Sequence, residues 1–301
     1  MSRAVLLLTL AAALLGVACE DDFSPKSDFN KQLAVFAVLD ASQPMQVVRL
    51  EWSYDAELGR ISEPLTDKEV TEADVRILGG GTYIFNDTLI TTSGGGSVRS
   101  WINRDFHPLP EKEYSLQVTI PGHPVVSSLI TLPSRLYVRA DLIRPDTGVD
   151  AIHIYHGINT FVKKPAAFYF RFFVEVTKWN SGDTLVQREE VPLRYFPATN
   201  TREYPSPNRA EDIRFSAGML RWIGEGMQQP GDSIIARRVL AKVYGLETNF
   251  YSYFKIVRGF DDPLSMRVDS PDISFIEGGL GVFGGMVSDS IFYPYYRFIR
   301  E

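Results

Sequence analysis

Strict two-residue alternation between Ala167 and Val176 is the feature that most constrains the fold of this chain. The even-numbered positions from 168 to 176 are all aromatic or β-branched, whereas polar and aromatic residues share the odd positions. Successive side chains of a β-strand point to opposite faces, so this period predicts a strand with one fully apolar face. The same alternation recurs from Met45 to Ser53 and from Tyr114 to Ile120. Together these segments predict a mainly β protein.

A tyrosine that follows a Leu-Pro pair gives a more specific signal for the N-terminal part. Leu109 and Pro110 precede Tyr114, which begins a predicted strand. This arrangement resembles the tyrosine corner of immunoglobulin-like and fibronectin-like sandwiches, in which the tyrosine hydroxyl bonds to the preceding backbone. Short strands separated by glycine turns have the spacing of a sandwich. We therefore predict an immunoglobulin/fibronectin-like β-sandwich over residues 32–134.

Residues 135–301 are predicted to form a second β-rich domain with one packed helix. Strand patterns recur at 167–176, 184–193, 233–244 and 288–295. The polar, proline-containing residues 197–212 predict a long loop. An apolar stripe with i, i+4, i+8 and i+11 spacing predicts a helix near residues 246–258. Its members are Leu246, Phe250, Phe254 and Val257, and we expect them to pack against the sheet.

The start of the chain has the layout of a secretory signal. Arg3 precedes an apolar run from Ala4 to Ala18, and Leu15-Gly16-Val17-Ala18 comes directly before Cys19. The run is shorter than the roughly 20 residues that span a bilayer. The pattern resembles the bacterial lipobox, so residues 1–18 are predicted as a lipoprotein signal peptide and Cys19 as the lipidation site. An ordinary signal peptide with an incidental cysteine is the alternative.

The residues that follow Cys19 are acidic. Glu20, Asp21 and Asp22 resemble the surface-export signal of lipoproteins in the Bacteroidota phylum. A solvated tether is the other interpretation, and the two are compatible. Residues 19–31 are therefore predicted as a lipidated acidic tether. We expect the protein at the outer membrane, lipid-anchored and facing the cell exterior.

Composition excludes several kinds of partner and site. The formal net charge is −6 and no lysine- or arginine-rich run occurs, so nucleic acid is not expected as a partner. Cys19 is the single cysteine, so the mature fold is predicted to use neither disulfides nor thiolate metal sites. His153 and His156 lie three apart in a predicted strand and point to opposite faces, which excludes chelation of one metal by this pair.

A glycine run near the end of the chain matches G-x-G-x-x-G over Gly279–Gly284. A dinucleotide site needs a strand before this motif and a helix after it. The residues after it, Ser288–Tyr293, alternate like a strand instead. We therefore predict a bend or bulge, where glycine permits a close backbone approach or a positive φ. No cofactor, metal or catalytic residue is predicted anywhere in the chain.

Several of these segments together resemble one known family. They are the lipobox, "PLPEKEYSLQV", the strand entry "PGDSI", the aromatic helix and "GGLGVFGG". The chain is similar to a family of Bacteroidota outer-membrane lipoproteins classed as a domain of unknown function. The resemblance implies association with a TonB-dependent transporter. It brings no catalytic residues, because the shared motifs are turns and strand starts.

We therefore expect a non-enzymatic, lipid-anchored surface lipoprotein that binds a ligand or a partner transporter. Aromatic side chains expected in loops are candidate contacts to a glycan or peptide ligand, with core or hairpin packing as the alternative. They are Trp101, Trp179, Tyr204 and Trp222. Two other functions stay open. A hydrolase with a dispersed active site predicts a cleft with two close carboxylates of raised pKa. A structural envelope module predicts one broad apolar patch.

Overall fold

Strands from both ends of the chain belong to one large sheet. The structure is a computed structural model that describes residues 31–53, 69–91, 96–141, 151–156, 161–180, 182–257 and 274–295. The first strands are β1 (Leu33–Asp40), β2 (Gln46–Trp52), β3 (Asp74–Leu78), β4 (Thr82–Thr91), β5 (Ser97–Asn103), β6 (Glu113–Thr119), β7 (Val126–Thr131) and β8 (Val138–Asp141). The later strands are β9 (Ala151–His156), β10 (Ala167–Asn180), β11 (Asp183–Glu190), β12 (Arg194–Phe196), β13 (Thr201–Glu203), β14 (Asp212–Ser216), β15 (Ser233–Leu246) and β16 (Leu280–Pro294). The helices are α1 (Ala217–Gly226) and α2 (Thr248–Val257).

The main sheet has eleven strands in the order β11-β10-β15-β16-β1-β2-β5-β4-β3-β6-β7. A three-stranded sheet, β14-β9-β8, and the hairpin β12-β13 complete the strand pairing. The mainly β class predicted from the alternating segments is therefore confirmed. None of the described helices is both long and apolar enough to cross a membrane.

Inside the main sheet, the first described strand of the chain, β1, pairs in parallel with the last, β16. β1 and β16 pair from Ala34 opposite Leu280 to Asp40 opposite Met286. β1 comes from the predicted sandwich and β16 from the predicted second domain, so the two share one sheet. The division between residues 134 and 135 stays a prediction.

Gly281 allows this parallel pairing. Its φ is +102°, and a Cβ at this position would lie 2.1 Å from the carbonyl oxygen of Val35. The glycine run at the start of β16 therefore serves a close approach between backbones, as predicted from the sequence. The run enters a strand directly, with no helix after it.

The tyrosine corner is present. The backbone N–H of Leu109 donates a hydrogen bond to Tyr114 Oη at 2.7 Å. Tyr114 is buried, and this burial raises the pKa of its hydroxyl. The ring thus fixes the loop before β6 to the strand, as the sequence predicted.

The apolar core lies on one side of the main sheet, which we call the inner side. One cluster packs Phe170 and Phe172 of β10 against Phe215 and Leu220, which belong to the small sheet and α1. A second cluster lies on the same side of β1, β5 and their neighbours and includes Trp101. On the opposite, outer side, α2 packs on β1 and β16 through Phe36, Tyr253 and Val282.

Two local elements differ from the sequence predictions. The predicted loop 197–212 contains β13, which pairs with β12 in a short hairpin. Helix α1 was not predicted. Ser216 caps it, because its Oγ accepts a hydrogen bond from the N–H of Met219 at 3.3 Å. The predicted helix near 246–258 is confirmed as α2, although its predicted stop at Gly259 lies outside the described residues.

Candidate functional site

The residues predicted as contacts are dispersed over the structure. Cys19, the predicted lipidation site, lies outside the described residues. Trp101 was expected in a loop, but it lies in β5 and is only 1% exposed. Its indole N–H donates to the carbonyl of Ala73 at 3.3 Å. Trp101 is therefore a core residue, because burying its large apolar ring is more favourable than exposing it to water. It is not available to a ligand.

Trp222 anchors the β12-β13 hairpin to α1. Its ring stacks on Tyr195 with 4.6 Å between centroids, and the Arg202 guanidinium lies 5.0 Å from its centroid. Tyr195 and Arg202 are directly opposed in the hairpin, so both reach the same indole. Tyr204, just after β13, is exposed and holds the Arg202 pKa above its ordinary value through a side-chain hydrogen bond. Trp222 and Tyr204 were predicted as ligand contacts, whereas their partners Tyr195 and Arg202 were not predicted.

Trp179 lies on the same side of the main sheet as a larger polar and aromatic surface. It is half exposed near the end of β10 and shares the outer side of that strand with Glu175. Directly opposed residues share a face, so the registers of β10, β11, β15 and β16 define one continuous surface. We call ten of its residues the outer patch: Tyr169, Arg171, Phe173, Glu175, Arg188, Glu190, Arg238, Lys242, Tyr244 and Phe292.

At one end of the outer patch, two arginines share a single carboxylate. Glu175 is opposed by Arg188 on β11 and by Arg238 on β15, and each arginine bonds a different carboxylate oxygen. The Glu175 side chain is 1% exposed, whereas those of Arg188 and Arg238 are 47% and 51% exposed. Burial disfavours the Glu175 anion, but the hydrogen bonds from both arginines outweigh it and hold its pKa below the ordinary value. The trio therefore displays one net positive charge.

At the other end of the patch, two cations oppose each other. Arg171 on β10 lies directly across from Lys242 on β15. Arg171 is paired with Glu190 through two bonds, at 2.9 and 2.5 Å. No salt bridge to Lys242 is found among the described residues, and its ammonium lies 4.6 Å from the Tyr244 ring centroid. Like charges directly opposed in a sheet are destabilising, so this position favours an anion.

Cations cover the aromatic rings of the outer patch. Arg171 lies 4.8 Å from the Phe173 centroid, and Arg238 lies 4.2 Å from that of Phe292. Contacts of this kind stabilise a cation against an aromatic face. The patch therefore offers positive groups held in fixed positions against aromatic rings.

Helix α2 covers a neighbouring part of the same side of the sheet. Val282 and Gly284 of β16 meet α2, and Phe292 lies on the same side further along that strand. Phe292 is 45% exposed. Within the described ranges, then, α2 covers one part of the outer side and leaves the outer patch accessible.

A separate cavity of about 360 Å³ lies beside β7 and the start of α2. Its wall includes Lys163, Lys164 and Glu247. The Glu247 carboxylate accepts hydrogen bonds from the N–H of Asn249 and of Phe250, so it caps α2. Burial raises the pKa of Glu247. The hydrolase hypothesis expected two such carboxylates in one cleft, and this wall supplies one.

His153 lies beside an acidic residue of the neighbouring strand. His153 in β9 lies 2.6 Å from Asp212 of β14, from Nε2 to Oδ2. In the part of the chain that the structure describes, no three histidine, cysteine or acidic side chains are grouped as metal ligands.

The fold and the outer patch define a class of protein: a mainly β chain built on one large sheet, with an ordered cationic and aromatic surface on one side. The family described as a domain of unknown function, DUF4249, matches residues 20–291. The chain belongs to this family. Comparison with curated proteins finds no match for it.

Proposed function

We propose that this chain is a non-enzymatic binding lipoprotein of the Bacteroidota outer membrane. A lipid on Cys19 anchors it at the cell exterior, and the outer patch contacts a partner, a TonB-dependent transporter. The junction between the apolar run and Cys19 supports the anchor, and the resemblance of the sequence motifs supports the partner.

The ordered cations of the outer patch are the observation that best supports a binding role. Arg188 and Arg238 are half exposed, and the cations of the patch are held by rings and carboxylates, so a partner meets side chains that are already ordered. Preorganised side chains lose little conformational entropy on binding. The buried carboxylates also have structural roles: Glu175 holds two arginines and Glu247 caps a helix.

Fractionation tests the anchor. The Cys19→Ala variant should move from the outer-membrane fraction to the soluble fraction, because several acyl chains on one residue provide the membrane affinity. Globomycin, which blocks lipoprotein signal peptidase, should leave the wild-type signal peptide uncleaved. A variant that stays in the outer-membrane fraction would refute lipid anchoring.

Cross-linking in intact cells tests the partner. A TonB-dependent transporter, identified by mass spectrometry, should be linked to the wild type and lost with Lys242→Glu. Lys255→Glu is the matched control, because Lys255 lies 5.0 Å from the Tyr251 ring on α2 and is not part of the patch. A transporter that is linked equally to both variants, or never recovered, would refute the proposal.

A further inference from the structure

We infer that the outer patch is a binding site for an extended acidic segment of a partner polypeptide. The inference rests on the proposed function and names the chemistry of the contact. Three observations support it: cations of the patch that no carboxylate neutralises, contacts between cations and aromatic rings, and the spacing of two cations along β15.

Positive charge is left over at two places. The Glu175 trio has two cations and one anion, and Lys242 is paired with a ring. The outer patch therefore carries four cations and two carboxylates, in a chain whose formal net charge is −6. Local positive charge of this kind is complementary to an acidic ligand.

The rings argue for carboxylates over sugars. A glycan would stack on open aromatic faces. In the patch, Arg171, Arg238 and Lys242 already occupy the faces of the neighbouring rings. The side chains of Arg188 and Arg238 remain about half exposed. A guanidinium has five N–H donors, and these suit carboxylates.

The spacing argues for an extended chain. Arg238 and Lys242 are four residues apart in β15 and point to the same side. At about 3.4 Å per residue in an antiparallel strand, they lie roughly 14 Å apart. An extended segment with acidic residues at matching intervals reaches both positions along the strand.

Fluorescence anisotropy with the full chain in detergent tests the inference. The probe is a dye-labelled 12-residue peptide of alternating glutamate and serine, and the control probe replaces glutamate with lysine. We expect binding of the acidic peptide alone, weakening as salt rises. Lys242→Glu should weaken it by roughly tenfold, because attraction becomes repulsion, while Lys255→Glu leaves it unchanged. Equal affinity in the wild type and Lys242→Glu would overturn the inference.

A second variant should change the peptide affinity in the opposite direction. Glu175→Gln removes one negative charge from the patch and keeps an acceptor for the arginines, so the peptide should bind more tightly. Oligogalacturonate of equal charge and phosphatidylglycerol vesicles are the competing probes, and binding of either as tightly as the peptide would overturn the choice of a polypeptide. Loss of the cross-linked transporter with Lys242→Glu, without peptide binding, would refute this inference and leave the proposed function standing.

Discussion

Phe250 of α2 packs directly against Gly284 of β16 and fills the space that a side chain at position 284 would need. A Cβ added to Gly284 would lie 2.6 Å from Cβ of Phe250 and 3.1 Å from its Cα. The obstacle includes backbone, so it cannot rotate away. The helix rests on the sheet at this glycine, and its distance from β16 is set by the missing side chain.

Gly284→Ala should therefore destabilise the fold. Overpacking of a core contact typically costs about 1–3 kcal/mol, and we expect a loss of that size in the free energy of unfolding. Urea denaturation measures it. Gly226→Ala, at the exposed end of α1 with open space around its Cα, is the control and should not destabilise. Equal stability of Gly284→Ala and the wild type would contradict the packing described for α2.

Tyr114→Phe tests the tyrosine corner. The variant keeps the ring but leaves the N–H of Leu109 without its acceptor. Loss of one hydrogen bond typically costs about 0.5–1.5 kcal/mol, and thermal unfolding should show this loss. Tyr137→Phe is the matched control, because Tyr137 is 52% exposed and its change should leave the melting temperature unchanged.

The Glu175 trio predicts a pH dependence. Hydrogen bonds from two arginines hold the Glu175 pKa below its ordinary value of 4.5. Because the pKa of Glu175 is lower in the folded state, its ionised form stabilises the fold at pH values above the ordinary pKa. This stabilisation is lost as pH falls through the folded-state pKa. Wild type should exceed Glu175→Gln in stability near neutral pH, and urea unfolding should show the difference narrowing in acid. A constant difference across the acid range would contradict the ion pairs.

Trp222→Ala should loosen the β12-β13 hairpin. The indole is the shared contact of Tyr195 and Arg202, so its removal leaves the hairpin held by fewer contacts. Amide hydrogen exchange should rise across β12 and β13 while it stays slow in β15, because local opening does not require the main sheet to unfold. Trp179→Ala, a half-exposed tryptophan outside the hairpin, should leave exchange there unchanged.

Local patterns predicted the strands because each strand carries its own period. The alternation from Phe168 to Val176 places one face in the core, and the structure buries those residues. Helix α1 was missed because its sequence holds three glycines, which are poor helix formers. Tertiary packing requires a glycine in this helix, because Gly224 faces the Tyr295 hydroxyl. A Cβ added at position 224 would lie 2.2 Å from Oη.

The outer patch could not be predicted from sequence because its members come from four strands. Glu175 looked like one polar residue in an alternating strand. Its two arginines lie 13 and 63 residues away and meet it only through strand register. Trp101 illustrates the converse: its identity suggested a ligand contact, and only the register of β5 shows that it is buried.

The parallel pairing of β1 with β16 has a consequence for the order of folding. β1 is the first described strand to be synthesised and β16 the last, and the sheet order places them side by side in its interior. Until β16 emerges, β1 keeps one edge open, which is a template for pairing with other chains. Such contacts between distant parts of a chain form slowly. The edge of β1 therefore stays open to contacts with other chains until β16 has been synthesised.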